Sequence, residues 1–457
     1  MDLTLNTSFK SADDIFISSK PKSKHAYWQQ VGDQGQLFVV NGSRLFIVGL
    51  DLLAEFEHAS IYGDPGVEKL LSNLGLSAPS FIDDTPIQSP PLHAISLAVA
   101  QKCNLGCTYC YADHGKFGGN AKNMSSKTAE QSVRLLMNGA QPGSKVNIAF
   151  LGGEPLANRL VLRSATEYAQ KLAEEHNVQV TFSITTNGSL LTEEDAIFFE
   201  QYGFAVTVSL DGIGQQHDQQ RPFKNGRGSF DNIMTRVKPL IDIQKKMQVS
   251  VRATITPQNL KLLETLDYFL KFGFHSVGFS PLLRSPNGQG EMEPHDLAKM
   301  LTAMVECGTE FERRVELGER YSFSNMVNAL RELHRGTHRP YPCGAGAGYL
   351  GVSADGELAA CHRFVGDIEG AMGNLTDGID HHAQDRWLTE RHVHKQSPCD
   401  ECWARYLCSG GCHHEVIARG RPACDYIRGW LHYCLQAYAR LMKEVPDYFS
   451  GESCEAI

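Results

Sequence analysis

Three cysteines stand close together in the stretch QKCNLGCTYCYAD, which begins at Gln101. Cys103, Cys107 and Cys110 follow a C-x3-C-x2-C spacing, and no fourth cysteine lies nearby. Thiolates hold iron–sulfur clusters, and three thiolates on a four-iron cluster leave one iron open for a substrate. A zinc site usually has four ligands, often as two C-x2-C pairs, so zinc is the weaker alternative. The spacing therefore predicts an iron–sulfur cluster with one open iron.

A second and larger group of cysteines occupies the C-terminal part of the chain. Eight lie between positions 343 and 434: Cys343, Cys361, Cys399, Cys402, Cys408, Cys412, Cys424 and Cys434. Two complete four-iron clusters need about eight thiolates, so this number fits two further clusters. The C-x2-C pair at 399–402 taken alone also fits a zinc ribbon, which stays open as an alternative. Cys307 and Cys454 are predicted to be ordinary free thiols.

The residues between 93 and 283 alternate between apolar runs and helical stretches. The predicted strands cover residues 93–99, 146–151, 179–185, 205–210, 248–255 and 276–281. Because a helical crossover follows each strand, the pattern predicts a parallel sheet. We expect an α/β fold, with this sheet curled into a partial (β/α)6 TIM-like barrel.

Four of these predicted strands are followed by polar or glycine-rich motifs. The cysteine run follows the first strand, Gly152-Gly153-Glu154 the second, Asn187 the third, and Ser209 with Asp211-Gly212 the fourth. Loops at the carboxyl ends of parallel barrel strands converge on one mouth, where enzymes of this architecture carry their active sites. We therefore expect these motifs to form a single site.

The regions on either side of the barrel differ from it in composition. Residues 1–90 contain no cysteine, and the apolar runs 36–40 and 44–48 flank Asn41-Gly42. This dipeptide is a strong hairpin signal because both residues tolerate positive φ. We predict a small N-terminal α+β domain over 1–90, the barrel over 91–290, a helical connector over 291–340 and a cysteine-rich domain over 341–457.

Length and charge exclude several functional classes. A chain of 457 residues is too long for one ordinary core, so two or three domains are expected. The net charge of −9 and the lack of a basic cluster argue against nucleic-acid binding. No apolar stretch approaches a membrane span and no secretory signal is evident, so we predict a cytoplasmic protein without membrane contact. Thiols stay reduced in the cytoplasm, which favours metal ligation over disulfides.

The cysteine run, with the aromatic Tyr109 before its last cysteine, resembles the radical S-adenosylmethionine (SAM) superfamily, and the resemblance extends over the 93–283 barrel. It implies that the open iron chelates the amino and carboxylate groups of SAM. One electron from the cluster then cleaves SAM and yields a 5′-deoxyadenosyl radical, which removes hydrogen from an unactivated carbon. A reducing donor such as flavodoxin or ferredoxin is the implied partner.

The same resemblance implies which residues contact SAM. Glu154 of the GGE element pairs with the SAM ammonium, while Gly152 and Gly153 let the backbone come close. The remaining implied contacts are Tyr109 to adenine, Asn187 and Ser209 to ribose or carboxylate, and Arg221 and Arg252 to the carboxylate. A simple turn at 187–188 and rim ion pairs for the two arginines are the alternatives.

The C-terminal cysteines resemble the SPASM extension of radical SAM enzymes that modify peptides, whose seven-cysteine pattern binds two auxiliary four-iron clusters. The resemblance implies an outer cluster on Cys399, Cys402, Cys408 and Cys424, and an inner cluster on Cys343, Cys361 and Cys412. Cys434 either completes the inner set or packs in a helix. In the second case the inner cluster has an open iron for a substrate thiolate. Three four-iron clusters in total are therefore implied.

Two stretches, CTYCYADHGKFGG and CGAGAGYLGVSADGELAACHRFVGD, resemble maturases that install thioether cross-links in peptides. The most similar is the enzyme that matures the small subunit of quinohemoprotein amine dehydrogenase, which joins cysteine sulfur to the methylene carbon of Asp or Glu. Asp400 is the candidate base for such a reaction, and a solvated loop carboxylate is its alternative role.

Other activities stay open beside thioether formation. Anaerobic sulfatase maturases normally have an aspartate after the second SPASM cysteine, where this chain has His362. Formylglycine formation is therefore less favoured. Carbon–carbon or ether cross-linking of a peptide and a non-catalytic iron–sulfur electron carrier are the further alternatives.

The predicted substrate is a peptide or small protein. Many peptide maturases carry a small domain that captures a leader segment as an added strand on a sheet edge. The predicted hairpin of residues 36–48, followed by helices, is compatible with such a domain. It is equally compatible with a structural cap on the barrel.

Overall fold

The structure is a computed structural model that describes residues 12–77, 79–88 and 90–449. The strands are β1 (Ala26–Val31), β2 (Gln34–Val39), β3 (Arg44–Val48), β4 (Ala94–Gln101), β5 (Lys122–Asn123), β6 (Lys145–Gly152), β7 (Gln179–Thr186), β8 (Ala205–Ser209), β9 (Gln248–Ile255), β10 (Ser276–Pro281), β11 (Tyr349–Val352), β12 (Glu357–Ala359), β13 (Ala371–Asn374) and β14 (Gly378–Ile379). The α-helices are α1 (Ala12–Ser18), α2 (Leu50–Ser60), α3 (Gly63–Asn73), α4 (Ser126–Asn138), α5 (Arg159–His176), α6 (Glu193–Tyr202), α7 (Gln215–Gln220), α8 (Phe230–Ile243), α9 (Leu262–Phe272), α10 (Pro294–Glu316), α11 (Ser324–His334), α12 (His381–Arg391), α13 (Arg405–Cys408), α14 (His413–Arg419) and α15 (Cys424–Glu444). Cys454, which the sequence predicts to be a free thiol, lies outside the described residues.

The N-terminal part of the chain forms a small antiparallel sheet in the order β1-β2-β3, followed by α2 and α3. The predicted hairpin is confirmed as β2 and β3, with Gly42 at φ +83° in the turn. Strand β1 is an addition to the prediction, because Gln29 and Gln30 interrupt its apolar pattern.

The two faces of this N-terminal sheet bury different cores. Trp28 packs on Phe56 of α2, with ring centroids 5.4 Å apart, in a core shared with α3. On the opposite face Tyr27 stacks on Trp403 at 4.1 Å, and its hydroxyl hydrogen-bonds to His432 of α15. Successive side chains of a strand point to opposite faces, which accounts for the division. The sheet is thereby joined to the C-terminal region through a buried aromatic contact.

Six parallel strands in the order β4-β6-β7-β8-β9-β10 form the central sheet, and α4 to α9 lie in the connections between them. The bounds of β9 and β10 are those predicted, and the other four strands differ from prediction by at most two residues at either end. The α/β class and the parallel topology expected from the sequence are therefore confirmed.

Burial alternates along the central strands. Ile184, Val208 and Val251 are buried in the main core on one face of the sheet. Their neighbours Ser183 and Thr207 are only partly buried, as are the other residues on the inner face of β7 and β8. The sheet therefore has a closed apolar outer face and an inner face of small polar residues that solvent reaches.

The cysteine-rich region extends this sheet instead of standing apart from it. Strand β11 pairs in parallel with β4, with Leu350 opposite Ile95 and Val352 opposite Leu97. Strands β12, β13 and β14 then continue as antiparallel neighbours. Sheet pairing thus crosses the predicted boundary at residue 341, and it places the C-terminal region beside the strand that leads into the first cysteine motif.

Helix α15 connects the N-terminal, connector and C-terminal parts of the fold by packing on α1, α10 and α11. Its Tyr433 hydroxyl donates to Glu312 of α10 at 2.5 Å, and Arg440 donates to the same carboxylate at 2.7 Å. Buried carboxylates need such partners because desolvating an unpaired charge is costly. Within the described ranges, no helix is both long and apolar enough to cross a membrane.

Candidate active site

The first three cysteines lie in the loop that follows β4. The backbone of this cysteine loop (103–110) is held against the segment after α7: Gly106 N–H donates to Pro222 O at 2.8 Å, and Thr108 N–H donates to Gln220 O at 3.0 Å. Cys107 is buried, and the other two cysteines are partly exposed. The conformation of the cysteine loop is therefore set by a part of the chain about a hundred residues further on.

The thiols of the cysteine loop act on one another electrostatically. Burial raises the pKa of Cys103 and raises that of Cys107 to about 12. Cys110 raises both pKa values further, while Arg221 opposes the shift in each. Thiolates are the form that binds metal, and a positively charged metal group would stabilise them in this buried place. The chemistry of the three thiols fits an iron–sulfur cluster.

Gly152 and Gly153 let the end of β6 approach the cysteine loop. At Gly152, where φ is +136°, a Cβ atom would lie 2.5 Å from the Ala100 carbonyl oxygen. At Gly153 a Cβ atom would collide with the Lys102 backbone. The two glycines therefore allow a close approach, and the group that comes close to them in this structure is the backbone of Ala100 and Lys102.

Glu154 is fully buried at the end of β6 and braces two strand ends. It accepts hydrogen bonds from the Thr186 hydroxyl at 2.7 Å, the Asn187 N–H at 2.8 Å and the Leu156 N–H at 3.1 Å. Burial raises the pKa of this carboxyl, and the three donors oppose the rise. A carboxylate that accepts three such bonds holds β6 and β7 in register at the mouth.

Asn187 lies at the end of β7 and contacts the cysteine loop directly. Its Nδ2 group lies 3.5 Å from Cys103 Sγ and donates to Asn104 Oδ1 at 3.0 Å. Its Oδ1 accepts from the Ser189 N–H at 2.9 Å. The amide predicted to contact SAM therefore orients a cysteine in this structure.

Tyr109, Asp211 and Arg221 form a buried polar group beneath the cysteine loop. The Tyr109 hydroxyl donates to Asp211, and Arg221 Nη1 donates to the same hydroxyl at 2.7 Å. Arg221 also lies 3.6 Å from Asp211 Oδ2. Burial alone would lower the pKa of Arg221, but Cys107, Tyr109 and Asp211 raise it well above its usual value. A permanent positive charge is thereby held beside the cysteines.

Asp211 lies two residues after β8, in the strand-end motif that the sequence analysis named, although no role was assigned to it there. Its Oδ1 accepts from Thr254 N–H at 2.8 Å, so the carboxylate also ties β8 to β9. An acidic residue near the end of a barrel strand is typical of a site position.

Two polar groups at this place have no partner in the protein. The side-chain amide of Gln220, only 5% exposed, forms no hydrogen bond among the described residues, and neither does the buried Nε of Arg221. Buried polar atoms are almost always satisfied, so such orphans indicate a ligand or water. A polar molecule such as SAM beside the cysteine loop would supply the missing partners. Gln220 is thus a residue that the sequence prediction missed.

Ser209 and Arg252 lie opposite each other on the inner face of the sheet, paired across β8 and β9. Ser209 is partly exposed, and Arg252 is exposed to solvent with its guanidinium donating to Ser280 of β10. In the described structure Arg252 forms no ion pair with Asp211, which is instead paired with Arg221. The structure brings one of the two predicted arginines to the cysteine loop and leaves the other on the open inner face.

The C-terminal cysteines fall into two sets, as the resemblance implies. The outer set consists of Cys399, Cys402, Cys408 and Cys424, which line one cavity of about 90 Å³. Burial, together with the other three thiols, raises the pKa of Cys408 to about 12. Burial also raises the pKa values of Cys399 and Cys424, and Arg421 opposes this rise. Four thiols around one cavity fit the ligand number of a complete cluster.

The inner set consists of Cys343, Cys361 and Cys412. Burial raises the pKa of Cys361 to about 12, and Cys412 and Cys343 raise it further, so these three thiols also lie close together. Cys412 lines the cavity of the outer set as well, which places the two sets side by side. Arg363 Nη1 lies 3.6 Å from Cys412 Sγ and donates to Glu415 at 2.8 Å.

The inner set faces the cysteine loop through aromatic and basic side chains. Tyr111, which follows Cys110, lies under the Arg363 guanidinium at 5.1 Å. Its ring centroid is 6.3 Å from the rings of both His362 and His414. The contact between Tyr111 and Arg363 therefore joins the residue after the cysteine loop to a residue that lies beside Cys412 of the inner set.

Cys434 is not brought to the inner set. It lies on α15, is fully buried in the main core and has its Sγ 4.0 Å from Met326 Sδ. Burial raises its pKa well above the usual value, and the charges that act on it are Glu312 and Arg440. The prediction of Cys434 as a ligand is corrected on this geometry: the thiol packs in a helix interface, and the inner set has three cysteines.

Asp400 lies with the outer set, on the 3-10 helix Cys399–Glu401. Its charge raises the pKa of Cys399, and its Oδ1 is buried without a partner in the described structure. The structure thus places the predicted base beside the outer cysteines, and its catalytic role stays a prediction.

The spacing of the cysteines in these sets does not suit a single metal ion. Among the described residues, no group of three or more His, Cys, Asp or Glu side chains converges as ligands of one ion. A four-iron cluster differs from such a site because each thiolate binds a different iron atom.

Comparison with known proteins gives the class of the fold. Residues 97–284 match the radical SAM superfamily. The serine-type anaerobic sulfatase-maturating enzyme of Klebsiella aerogenes is 25% identical over 350 residues, which are 73% of this chain and 83% of that protein. The cysteine-type enzyme of Clostridium perfringens strain ATCC 13124 is 25% identical over 383 residues, or 79% and 96%.

Solved structures agree with this class. Native anSMEcpe with bound AdoMet has a TM-score of 0.63 at 21% identity, over 77% of this chain and 99% of that one. Streptococcus suis SuiB bound to the precursor peptide SuiA has a TM-score of 0.51 at 14% identity, over 88% and 97%. The chain has the radical SAM α/β fold. It is a radical SAM enzyme, homologous to the sulfatase-maturating enzymes, and SAM with one four-iron cluster is its expected cofactor set.

Proposed function

We propose that this enzyme modifies a peptide or small protein by joining a cysteine sulfur to a side-chain carbon of Asp or Glu, as an intrapeptide thioether. The observation that carries the proposal is the inner set of three cysteines, which is linked to the cysteine loop through the contact of Arg363 with Tyr111. A three-cysteine set leaves one iron of a four-iron cluster open, and a substrate thiolate is a suitable ligand for it. The resemblance to the maturase of quinohemoprotein amine dehydrogenase supports the same chemistry.

The residues of the chain have distinct tasks in this proposal. When bound, the cluster of the cysteine loop and SAM supply a 5′-deoxyadenosyl radical that removes hydrogen from carbon. Arg221, with its charge held by Asp211, is placed to bind the SAM carboxylate, since guanidinium groups pair well with carboxylates. Glu154 joins the ends of β6 and β7, and Asn187 contacts the cysteine loop from the end of β7. The open inner face of the sheet accommodates the substrate segment.

Two auxiliary clusters are part of the proposal. The outer set offers four thiols and the inner set three, and burial raises the pKa values of Cys408 and Cys361 among them. Thioether formation removes two hydrogens from the peptide overall, so an electron acceptor is needed. Flavodoxin or ferredoxin is the proposed donor for the initial reduction.

The N-terminal sheet is proposed as the site that captures the substrate's leader segment. Strand β3 is an outer strand of that sheet, and Ile47 on it is 52% exposed. Main-chain hydrogen bonds on a free strand edge provide affinity for an extended peptide. Ile47→Pro should raise the KM for the substrate without changing SAM cleavage in its absence. Ile368→Pro, which alters an exposed residue far along the chain, is the control, and an unchanged KM for Ile47→Pro would refute capture at this edge.

Anaerobic co-expression with a small protein encoded nearby, followed by peptide mass mapping, tests the function. The expected product has lost two hydrogens per cross-link and one substrate thiol per link. The same mass loss with unchanged thiols would refute thioether formation and favour a carbon–carbon link. Absence of 5′-deoxyadenosine after anaerobic incubation of the fully loaded enzyme with SAM and a reductant would contradict any radical SAM activity.

Formylglycine formation is a second candidate, because the homologous enzymes named above mature sulfatases. The residue after the second C-terminal cysteine argues against it. This residue is His362, whose Nδ1 lies 3.0 Å from the Tyr349 hydroxyl. Burial and then Arg363 lower its pKa to about 4. Incubation with a sulfatase peptide should leave its target Cys or Ser unchanged, and an aldehyde product would favour this candidate instead.

A further inference from the structure

The inner face of the central sheet is lined by small hydroxyl side chains. The partly exposed residues of β7, β8 and β9 on this face are Ser183, Thr185, Thr207, Ser209, Ser250 and Thr254. They bond to one another across strands, as Ser250 does to Ser276 of β10 at 2.9 Å. Such a surface offers hydrogen bonds but no countercharge to a charged group.

Arg252 is the exception on this face. It is exposed to solvent, although neighbouring residues Val251 and Ala253 on the same strand are buried in the core. Its hydrogen bond to Ser280 engages a neutral group, and no ion pair of Arg252 exists among the described residues. The surrounding protein nevertheless desolvates part of its side chain, which lowers the pKa of the guanidinium. A partly desolvated charge is incompletely compensated by water.

The nearest acidic group is already occupied. Glu415 raises the pKa of Arg252 and Arg363 lowers it, so both lie within electrostatic reach. Glu415 is held by Arg363 at 2.8 Å, with both side chains less than 20% exposed. Arg284 adds another positive charge here, because it and Arg363 both lower the pKa of His414. Three guanidinium groups and one carboxylate leave an excess of positive charge between the inner face and the inner set.

We propose that Arg252 binds the side-chain carboxylate of the substrate residue that is modified, an Asp or Glu, and so selects acidic residues for reaction. This inference rests on the proposed function and deepens it. The sequence assigned Arg252 to the SAM carboxylate, but that position is better filled by Arg221, which is buried against the cysteine loop. The excess positive charge near the inner set is therefore available to bind an acidic group of the substrate.

The geometry of a guanidinium suits this task. Its fork pairs with both oxygens of a carboxylate and therefore fixes the orientation of the adjacent methylene group. Radical abstraction depends on such placement, because reacting atoms must be held close and aligned. A lysine would retain the charge but not the fork, so Arg252→Lys should bind an acidic group without orienting it equally well.

The test measures binding of a small acidic probe to the cluster-reconstituted enzyme with SAM, under anaerobic conditions. N-acetyl-L-aspartate N-methylamide and its neutral counterpart, N-acetyl-L-asparagine N-methylamide, are compared by saturation-transfer difference NMR. We expect the wild type to bind the acidic probe about 10-fold more tightly or better, as for a hydrogen bond to a charged group. Arg252→Gln should abolish the preference and Arg252→Lys should retain part of it.

Arg134→Gln is the matched control, because Arg134 is 58% exposed on α4, where it lies 3.6 Å from Glu130 and over the Tyr168 ring. It should keep the preference for the acidic probe. SAM affinity, measured by equilibrium dialysis, should be the same in the wild type and in Arg252→Gln.

Three outcomes would overturn the inference. They are equal binding of the two probes by the wild type, an unchanged preference in Arg252→Gln, and a loss of SAM affinity in Arg252→Gln with the preference retained. The third would assign Arg252 to the SAM carboxylate. The thioether proposal is tested by a different measurement, the peptide mass map. The two failures can therefore be told apart, because the enzyme could prefer the acidic probe and still form no thioether.

Discussion

The cysteine loop and the inner set each contain three cysteines, but their surroundings differ. The cysteine loop is supported by buried polar residues, and Asn187 contacts its first thiol. The inner set has Cys343 and Cys412 exposed, with Arg363 as the polar neighbour of Cys412. A small, fixed ligand needs the rigid surroundings of the first, whereas a large peptide needs the access of the second. Under the proposed function, equal numbers of ligands would thus serve two kinds of partner.

The strongest test of this comparison removes a thiol from the cysteine loop. Cys107→Ala should lower SAM cleavage by more than about 100-fold, because even changes in outer-shell residues of metal sites cost about 10- to 100-fold. Cys307→Ala, which removes a buried thiol of α10, is the control and should cleave SAM normally. Production of 5′-deoxyadenosine is the measurement, and retained cleavage by Cys107→Ala would overturn the cluster assignment.

Removing a thiol from the inner set should separate SAM cleavage from product formation. Cys361→Ala is expected to lose cross-linking while it retains uncoupled cleavage of SAM, because the cysteine loop and its supports are untouched. Both products are measured in one reaction, 5′-deoxyadenosine by chromatography and the peptide by mass. Normal amounts of cross-linked peptide would exclude the inner set from the reaction and make the two sets unrelated in function.

The buried support of the cysteine loop gives a smaller, graded effect. Asp211→Asn keeps the shape but removes the charge opposite Arg221, so SAM affinity should fall by about 10- to 100-fold, as for outer-shell residues. Asp195→Asn is the matched control, since Asp195 is equally buried and paired with Arg159 at 2.8 Å, away from the cysteine loop. It should affect stability alone. Equal SAM affinities for both variants in equilibrium dialysis would show that Asp211 is only structural.

The sequence predicted the parts of the fold that depend on local patterns. The six barrel strands were recovered within two residues because runs of apolar and β-branched residues mark them. The parallel pairing of β11 with β4 was not predicted, since it joins Leu350 to Ile95 across more than 250 positions. No local pattern of apolar and polar residues indicates a contact between such distant positions.

The same limit applies to the candidate site. Strand-end motifs identified Glu154 and Asn187, but their orientation toward Thr186 and Cys103 depends on how β6 and β7 are aligned. Asp211 was named in a strand-end motif without a role and Gln220 was missed, because their importance comes from burial beside the cysteine loop. Burial and partner choice arise from tertiary packing, which a single sequence does not specify residue by residue.

The last and smallest effect concerns whether the inner set really has three ligands. Cys434→Ala should leave the iron content per chain unchanged, because this thiol packs against Met326 in the core and not against the other cysteines. It should lower the free energy of unfolding by about 1 kcal/mol, the cost of a small cavity. Cys424→Ala is the comparison variant, because Cys424 begins α15 and belongs to the outer set. This variant should lose iron. If Cys434→Ala lost iron to the same extent, the inner set would have a fourth thiolate and no open iron, and the two three-cysteine sets would no longer be comparable.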